Sequence, residues 1–232
     1  MFYFILDNEI SLDKNIKVTK RPAIPSPEKD YLEYSVKGRN GSLYRDLETY
    51  KDIEITIEMN YVGSEEQWNC TWRSIKKWLL KGGIRNLSFS DDLGYYYKVK
   101  KIELGSNERK IRESGEFNAI FVCEAFSYLL SGSKEYDYTS VLYNPYCVTQ
   151  PIYIIEGNGL CTLTINDNEY ECNVTDNLII DDYLEIAYRS DGTNQNTVTN
   201  VDYESIRLLE GINSISITDG FVLKIIPNWR EI

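Results

Sequence analysis

The chain has 232 residues, enough to bury a sizeable core without disulfide staples, and 26% of them are charged, as in an ordinary globular protein. It contains no histidine, which excludes Ser-His-Asp and Cys-His nucleophilic chemistry and removes the commonest transition-metal ligand. The net charge of −11 is concentrated beyond residue 145, and a surface so poor in cations is unsuited to gripping phosphates.

Residues 1–145 carry 21 Lys+Arg and 22 Asp+Glu, whereas residues 146–232 carry 4 and 14. The 19 tyrosines are the compositional outlier; tyrosine favours half-buried sheet surfaces and interfaces, because its ring packs while its hydroxyl stays wet. The opening Met1-Phe2-Tyr3-Phe4-Ile5-Leu6-Asp7 has no basic stretch and meets an acid at once, so it predicts a strand and not a signal peptide. No apolar run approaches the roughly 20 residues of a membrane-spanning helix, and membrane insertion is not expected.

From Lys20 to Asp30, Pro22, Pro25 and Pro27 predict a loop, since proline cannot sit in a central strand. Gly38-Arg39-Asn40-Gly41 lacks the spacing of a phosphate-cradling loop and reads as the turn of a hairpin or a loop. Ile53, Ile55, Ile57 and Met59 alternate with polar residues, the pattern of a half-buried strand. One helix is predicted over about 64–81. Ser64-Glu65-Glu66-Gln67 forms a capping box, and Trp68, Trp72, Ile75, Trp78 and Leu79 make one apolar stripe. Lys76, Lys77 and Lys81 complement the dipole at its end, and Gly82-Gly83 stops it.

Leu87 to Ser90, a turn at Asp91-Asp92-Leu93-Gly94 and Tyr95 to Leu104 predict a hairpin, and Phe117 to Leu130 a long strand. A polar stretch beginning at Ser131-Gly132-Ser133-Lys134 marks a domain boundary, giving domains 1–140 and 141–232. After Pro151, turn signals recur at Gly157-Asn158-Gly159, Asn166-Asp167-Asn168, Asp191-Gly192 and Asp219-Gly220. The intervening strands are Ile152–Ile155, Leu160–Ile165, Glu169–Val174, Leu184–Arg189, Ile212–Ile217 and Val222–Ile226, the spacing of an antiparallel sandwich. Ser190 to Asn200, rich in Asn, Thr and Gly, predicts an exposed loop.

Cys70, Cys123, Cys147, Cys161 and Cys172 form an odd set without a C-x-x-C pair, so they read as free, mostly buried thiols. The densest carboxylate clusters are Asp181-Asp182 with Glu185, and Asp91-Asp92. Neither shows the glycine and downstream glutamate of a patterned calcium loop, and both read as solvated turn residues ahead of a glycosidase pair. Trp68, Trp72 and Trp78 at helical spacing read as core ahead of a sugar platform. Trp229 either packs over the end of the second domain or anchors a contact. No residue is assigned a catalytic, cofactor-binding or metal-binding role, and the chain is read as not an enzyme.

The succession of these segments resembles the distal tail proteins of long-tailed bacteriophages. In the first half it is carried by Val36-Lys37-Gly38-Arg39-Asn40-Gly41-Ser42-Leu43-Tyr44, the Ile53–Met59 strand, Trp72-x-x-Ile75-x-x-Trp78-Leu79, Phe89-Ser90-Asp91-Asp92 with Tyr95-Tyr96-Tyr97, and Cys123-Glu124-Ala125-Phe126. In the second half it is carried by Pro151-Ile152-Tyr153-Ile154, Ile179-Ile180-Asp181, Leu208-Leu209-Glu210-Gly211-Ile212-Asn213-Ser214-Ile215 and Ile226-Pro227-Asn228-Trp229-Arg230. No single element is specific; their order over nearly the whole chain is.

The resemblance implies a mainly β, two-domain structural protein of the virion. Its first domain would be a β-rich ring-forming unit with one helix, usually in six copies, and its second a galectin-like antiparallel β-sandwich. The implied place is the distal tail tip, made in the bacterial host cytoplasm and assembled with itself, the major tail tube protein, the tape measure protein, the tail-tip protein and receptor-binding proteins. Sequence-specific nucleic-acid binding is not implied. Ring contacts are expected from the Phe2–Leu6 strand and the Ile53–Met59 region. The alternative function is a lectin-like module that contacts the host surface, although galectin-type sugar sites use a histidine this chain lacks.

Overall fold

The computed structural model describes residues 1–64, 66–111 and 114–232. They divide into two compact units, Met1–Ser127 with Ile232 and Tyr128–Glu231. The fold is mainly β with one α-helix among the described residues, and no helix is long and apolar enough to cross a membrane.

The first unit holds β1 (Phe4–Leu6), β2 (Glu9–Ile10), β3 (Ile16–Val18), β4 (Lys29–Ser35), β5 (Ser42–Tyr50), β6 (Ile53–Val62), α1 (Trp68–Leu79), β7 (Arg85–Phe89), β8 (Asp92–Leu104), β9 (Glu108–Ile111) and most of β10 (Ser114–Leu129). Its main sheet runs β2-β1-β7-β8-β10-β6-β3, with β9 also on β10. The alternation in β6 sends Ile53, Ile55, Ile57, Met59 and Tyr61 inward, where they meet Phe117, Ala119, Phe121 and Cys123 of the antiparallel β10. Helix α1 covers this apolar face with Ile75 and Leu79 fully buried and its three tryptophans packed at the margin.

Helix α1 begins at Trp68, later than the expected residue 64. Ser64 still takes the Gln67 N–H on its hydroxyl at 3.3 Å, one half of a capping box, while Glu65 lies outside the described residues. At the other end, the Leu80 N–H bonds the Lys76 carbonyl and Gly83 adopts φ +96°. The last carbonyls are held by a residue the sequence does not flag. Arg85, 4% exposed, donates from Nη1 to the Trp78 carbonyl at 2.6 Å and the Leu79 carbonyl at 3.3 Å, and from Nε to Asp7 Oδ2 at 2.6 Å.

The β7–β8 hairpin is tighter than expected. Phe89 faces Asp92 directly, so the turn is Ser90-Asp91 and not the four residues from Asp91 to Gly94. Ser90 is fixed by β1's lead-in residue Tyr3, donating its N–H to the Tyr3 carbonyl at 3.0 Å and accepting the Tyr3 N–H on Oγ at 3.1 Å.

The second unit holds β11 (Tyr136–Asp137), β12 (Tyr143–Asn144), β13 (Ile152–Ile165), β14 (Asn168–Asp181), β15 (Ile186–Tyr188), β16 (Gly211–Ile212), β17 (Ile215–Ile217), β18 (Val222–Ile226) and β19 (Arg230–Glu231). Its sheet runs β11-β18-β13-β14-β15, with β17 on β13 beyond β18, and β12 pairs with β16. The predicted turn at Gly157-Asn158-Gly159 is absent, and β13 and β14 form one hairpin closed by Asn166-Asp167, both at positive φ. Gly157 serves a close approach, since a Cβ there would meet the Phe221 ring, whereas Gly159 has open space and a positive φ of +113°. Tyr153, Ile155, Cys161, Leu163 and Ile165 stay on the buried face throughout, as do Tyr170, Cys172, Val174, Leu178 and Ile180 opposite.

Candidate assembly surface

Of the two strands expected to make subunit contacts, β1 offers no free edge. β1 is paired on both sides, to β2 and β7, and Phe4 and Leu6 are fully buried. β6 pairs with β10 along Ile53–Val62 but with β3 only through Met59–Tyr61; its apolar residues are the core, while Glu54, Thr56 and Glu58 face outward. The alternation of Ile53–Met59 is the half-buried strand that the sequence predicts.

The aromatic and acidic motifs also find their places. Trp72 stacks on Tyr61 at 5.9 Å and meets Phe117 edge-on at 4.9 Å, and Trp78 stacks on Phe4 at 5.8 Å, so the tryptophan stripe belongs to the core margin. Trp229 packs inside its unit, 8% exposed, against Tyr146 at 5.8 Å and over Gly132, where a Cβ would strike its backbone. Asp91 pairs with Arg21 at 2.6 Å at the surface.

Asp181 and Asp182 are not solvated. They are 5% and 0% exposed, because β14 ends at Asp181 between Ile152 of β13 and Ile186 of β15. Asp181 Oδ1 accepts the Leu184 N–H at 3.0 Å, whereas both Asp182 oxygens are buried without a hydrogen-bond partner in the chain. Burial pushes the Asp182 carboxyl up to about 7, against the pull of Arg207 and Arg230 and with a smaller push from Asp181 and Glu185. Among the described residues, no three His, Cys, Asp or Glu side chains converge as a metal site.

The surface the sequence left undescribed is the β4–β5 hairpin. Its strands pair only with each other among the described residues. The turn is the predicted Gly38–Gly41 segment, with Gly38 at φ +86° and Gly41 at +79°. The register places Tyr31 opposite Asp46, Leu32 opposite Arg45, Glu33 opposite Tyr44 and Tyr34 opposite Leu43. Since side chains alternate, the ribbon has two unlike faces.

One face is polar and internally bonded. Tyr44 donates to Glu33 Oε1 at 3.3 Å, its ring meets Tyr31 edge-on at 6.4 Å, and Lys29 bonds Asp46 Oδ2 at 2.9 Å. The Lys29 contact, with the Glu48 N–H, lowers the Asp46 carboxyl below its ordinary value. The other face carries Leu32, Tyr34, Leu43 and Leu47, which with Val36 at its tip are each 40–45% exposed. Arg45 stands among them. At the ribbon's base, Tyr50 meets Phe126 edge-on at 5.6 Å and Lys51 bonds Glu28 at 3.4 Å.

No protein-family model and no curated protein matches this sequence. Among solved structures, the fold is similar to the crystal structure of the Dit protein of phage SPP1, whose description calls it a paradigm of the hub adsorption apparatus in phages that infect Gram-positive bacteria. The TM-score is 0.65 at 12% sequence identity, over 100% of this chain and 98% of that one.

Proposed function

We propose that this chain is a structural subunit of a long-tailed bacteriophage, a distal tail hub protein that closes into a ring, with six copies as the expected number. The ring joins the tail tube to the tail-tip and receptor-binding proteins and is not catalytic. The observation that carries this reading is the end-to-end likeness to SPP1 Dit, which covers the residues of both units and 98% of that chain. The segment order along the sequence supports it independently. On this reading the first unit, with 20 cationic and 20 anionic side chains, packs copies together without strong mutual repulsion. The second unit, a galectin-like module on this reading, serves as a docking surface for neighbouring tail proteins.

Negative-stain electron microscopy of the purified full chain, with light-scattering mass on the same sample, tests the reading. Rings with a central hole and a mass near six subunits are expected. Recovery of the chain from host lysates but never from purified virions or tail particles would overturn it.

A further inference from the structure

The chain holds two Asn-Gly pairs, Asn40-Gly41 and Asn158-Gly159. A glycine after asparagine invites a reaction between the two, because without a Cβ its nitrogen can swing onto the preceding side chain and its dihedrals are free to follow. The fold puts the two pairs in opposite environments. Asn40-Gly41 lies in the tip of the β4–β5 hairpin, beyond the last strand pair, Ser35 with Ser42. Both residues are exposed, and neither has a hydrogen-bond partner among the described residues. Gly41 sits at φ +79° with nothing within 4 Å of the place a Cβ would take. Such loop tips are where local fluctuation concentrates.

Asn158-Gly159 is exposed as well, but it lies inside the β13–β14 ladder, where Asn158 faces Thr175 and Gly159 faces Val174. Asn158 Oδ1 accepts the Asp176 N–H at 3.0 Å. Its amide is therefore held across the strands, and it reaches the neighbouring glycine only after that bond and the local ladder open.

We propose that Asn40 is a site of self-modification: in the folded protein its side-chain amide cyclises onto Gly41 and hydrolyses to aspartate and isoaspartate, while Asn158 stays intact. The Gly41 nitrogen bonds to Asn40 Cγ and gives up its proton, the bond from Cγ to the amide nitrogen breaks, and ammonia leaves with that proton. Water then opens the succinimide ring. Attack at the side-chain carbonyl gives aspartate, and attack at the main-chain carbonyl gives isoaspartate, whose backbone runs through Cβ. One water is consumed and one ammonia released, and no oxidant or cofactor enters. The product places a carboxylate in a stretch, Tyr34 to Arg45, that carries Lys37, Arg39 and Arg45 and no acid. The modification thus removes one of the tip's three net positive charges, and the isoaspartate form also lengthens the turn by a backbone atom.

Prolonged incubation of the purified full chain at mildly alkaline pH in isotopically labelled water, followed by peptide mass spectrometry, tests the assignment. The Asn40 peptide should gain the amide-to-acid mass with one labelled oxygen and separate into two isomers. The Asn158 peptide should convert at least about tenfold more slowly, the factor to which about 1.4 kcal/mol of local opening corresponds. In urea, where the ladder is gone, the two should convert at similar rates. On ion exchange the aged protein should develop a more acidic species that elutes with Asn40→Asp and fails to form in Asn40→Gln, both variants keeping the wild-type circular dichroism. Equal conversion of Asn40 and Asn158 in the folded chain would overturn the proposal. So would an Asn40 that stays intact in the folded chain while it converts in urea, or an acidic species that persists in Asn40→Gln.

Discussion

Replacing Asp182 by asparagine should make the second unit more stable at pH 8 and change little at pH 4. Asp182 is fully buried, and neither oxygen has a hydrogen-bond partner in the chain. Burial holds its carboxyl at about 7 in the folded chain, against 3.8 for an ordinary aspartate. Because the folded value is raised, the folded state keeps a proton that the unfolded chain releases as pH rises through the carboxylate range. The stability this group contributes is complete below about pH 4, declines from there to about pH 7, and is gone above it. With about 1.4 kcal/mol for each pH unit of displacement, the decline amounts to about 4 kcal/mol. Asparagine keeps the shape and cannot ionise, so the variant lacks that slope. Urea unfolding from pH 4 to 8, followed by amide exchange in β13 and β14, isolates the second unit. The difference between variant and wild type should grow from near zero to several kcal/mol across that range. Parallel pH profiles for the two proteins would refute the argument that a buried carboxylate is being ionised there.

Two further outcomes follow from buried groups. Arg85→Ala should destabilise the first unit by about 1–3 kcal/mol, because it takes the donor from the Trp78 and Leu79 carbonyls, while the part-exposed Asp7 keeps the Asn86 N–H; chemical denaturation of variant and wild type measures it. Labelling with a thiol reagent at neutral pH should modify the exposed Cys70 quickly, and Cys123 and Cys161 only on unfolding, since burial raises their thiols to about 12 and about 11. Mass spectrometry of peptides over time reads the order.

How much was legible depended on whether a residue's partner was near in sequence. Helix α1 could be read because its stripe, its lysines and its stop all lie within twenty residues of chain. The two-residue turn at Asn166-Asp167 was likewise local. The Gly157–Gly159 turn was misread because glycine marks both a turn and a close approach, and the group approaching it, Phe221, lies on a distant segment. Asp181 and Asp182 looked like solvated turn residues because adjacent acids usually are. Only the pairing of β14 with β13 and β15 shows that this end of the strand is interior. Arg85 gave no sequence signal, since its three acceptors come from Asp7 and the helix end.

The same reasoning separates a strand that feeds the core from a ribbon that stays at the surface. Clean alternation, as in Ile53–Met59, is produced by one buried face, and in a subunit with its own core that face is used up internally. Residues 29–50 alternate as well, but the segment mixes charges into both faces and has no third strand among the described residues, so of this hairpin only the Gly38–Gly41 turn was legible. Electrostatics then treats the two units differently. At physiological ionic strength, charges more than about 8 Å apart are largely screened. Repulsion between the acidic second units of two chains is therefore weak unless they touch. At low salt the screening length grows to about 30 Å, and the mutual repulsion of units with an excess of eleven carboxylates regains reach. Contact between two second units is thus least opposed where salt has already silenced that longer-ranged repulsion.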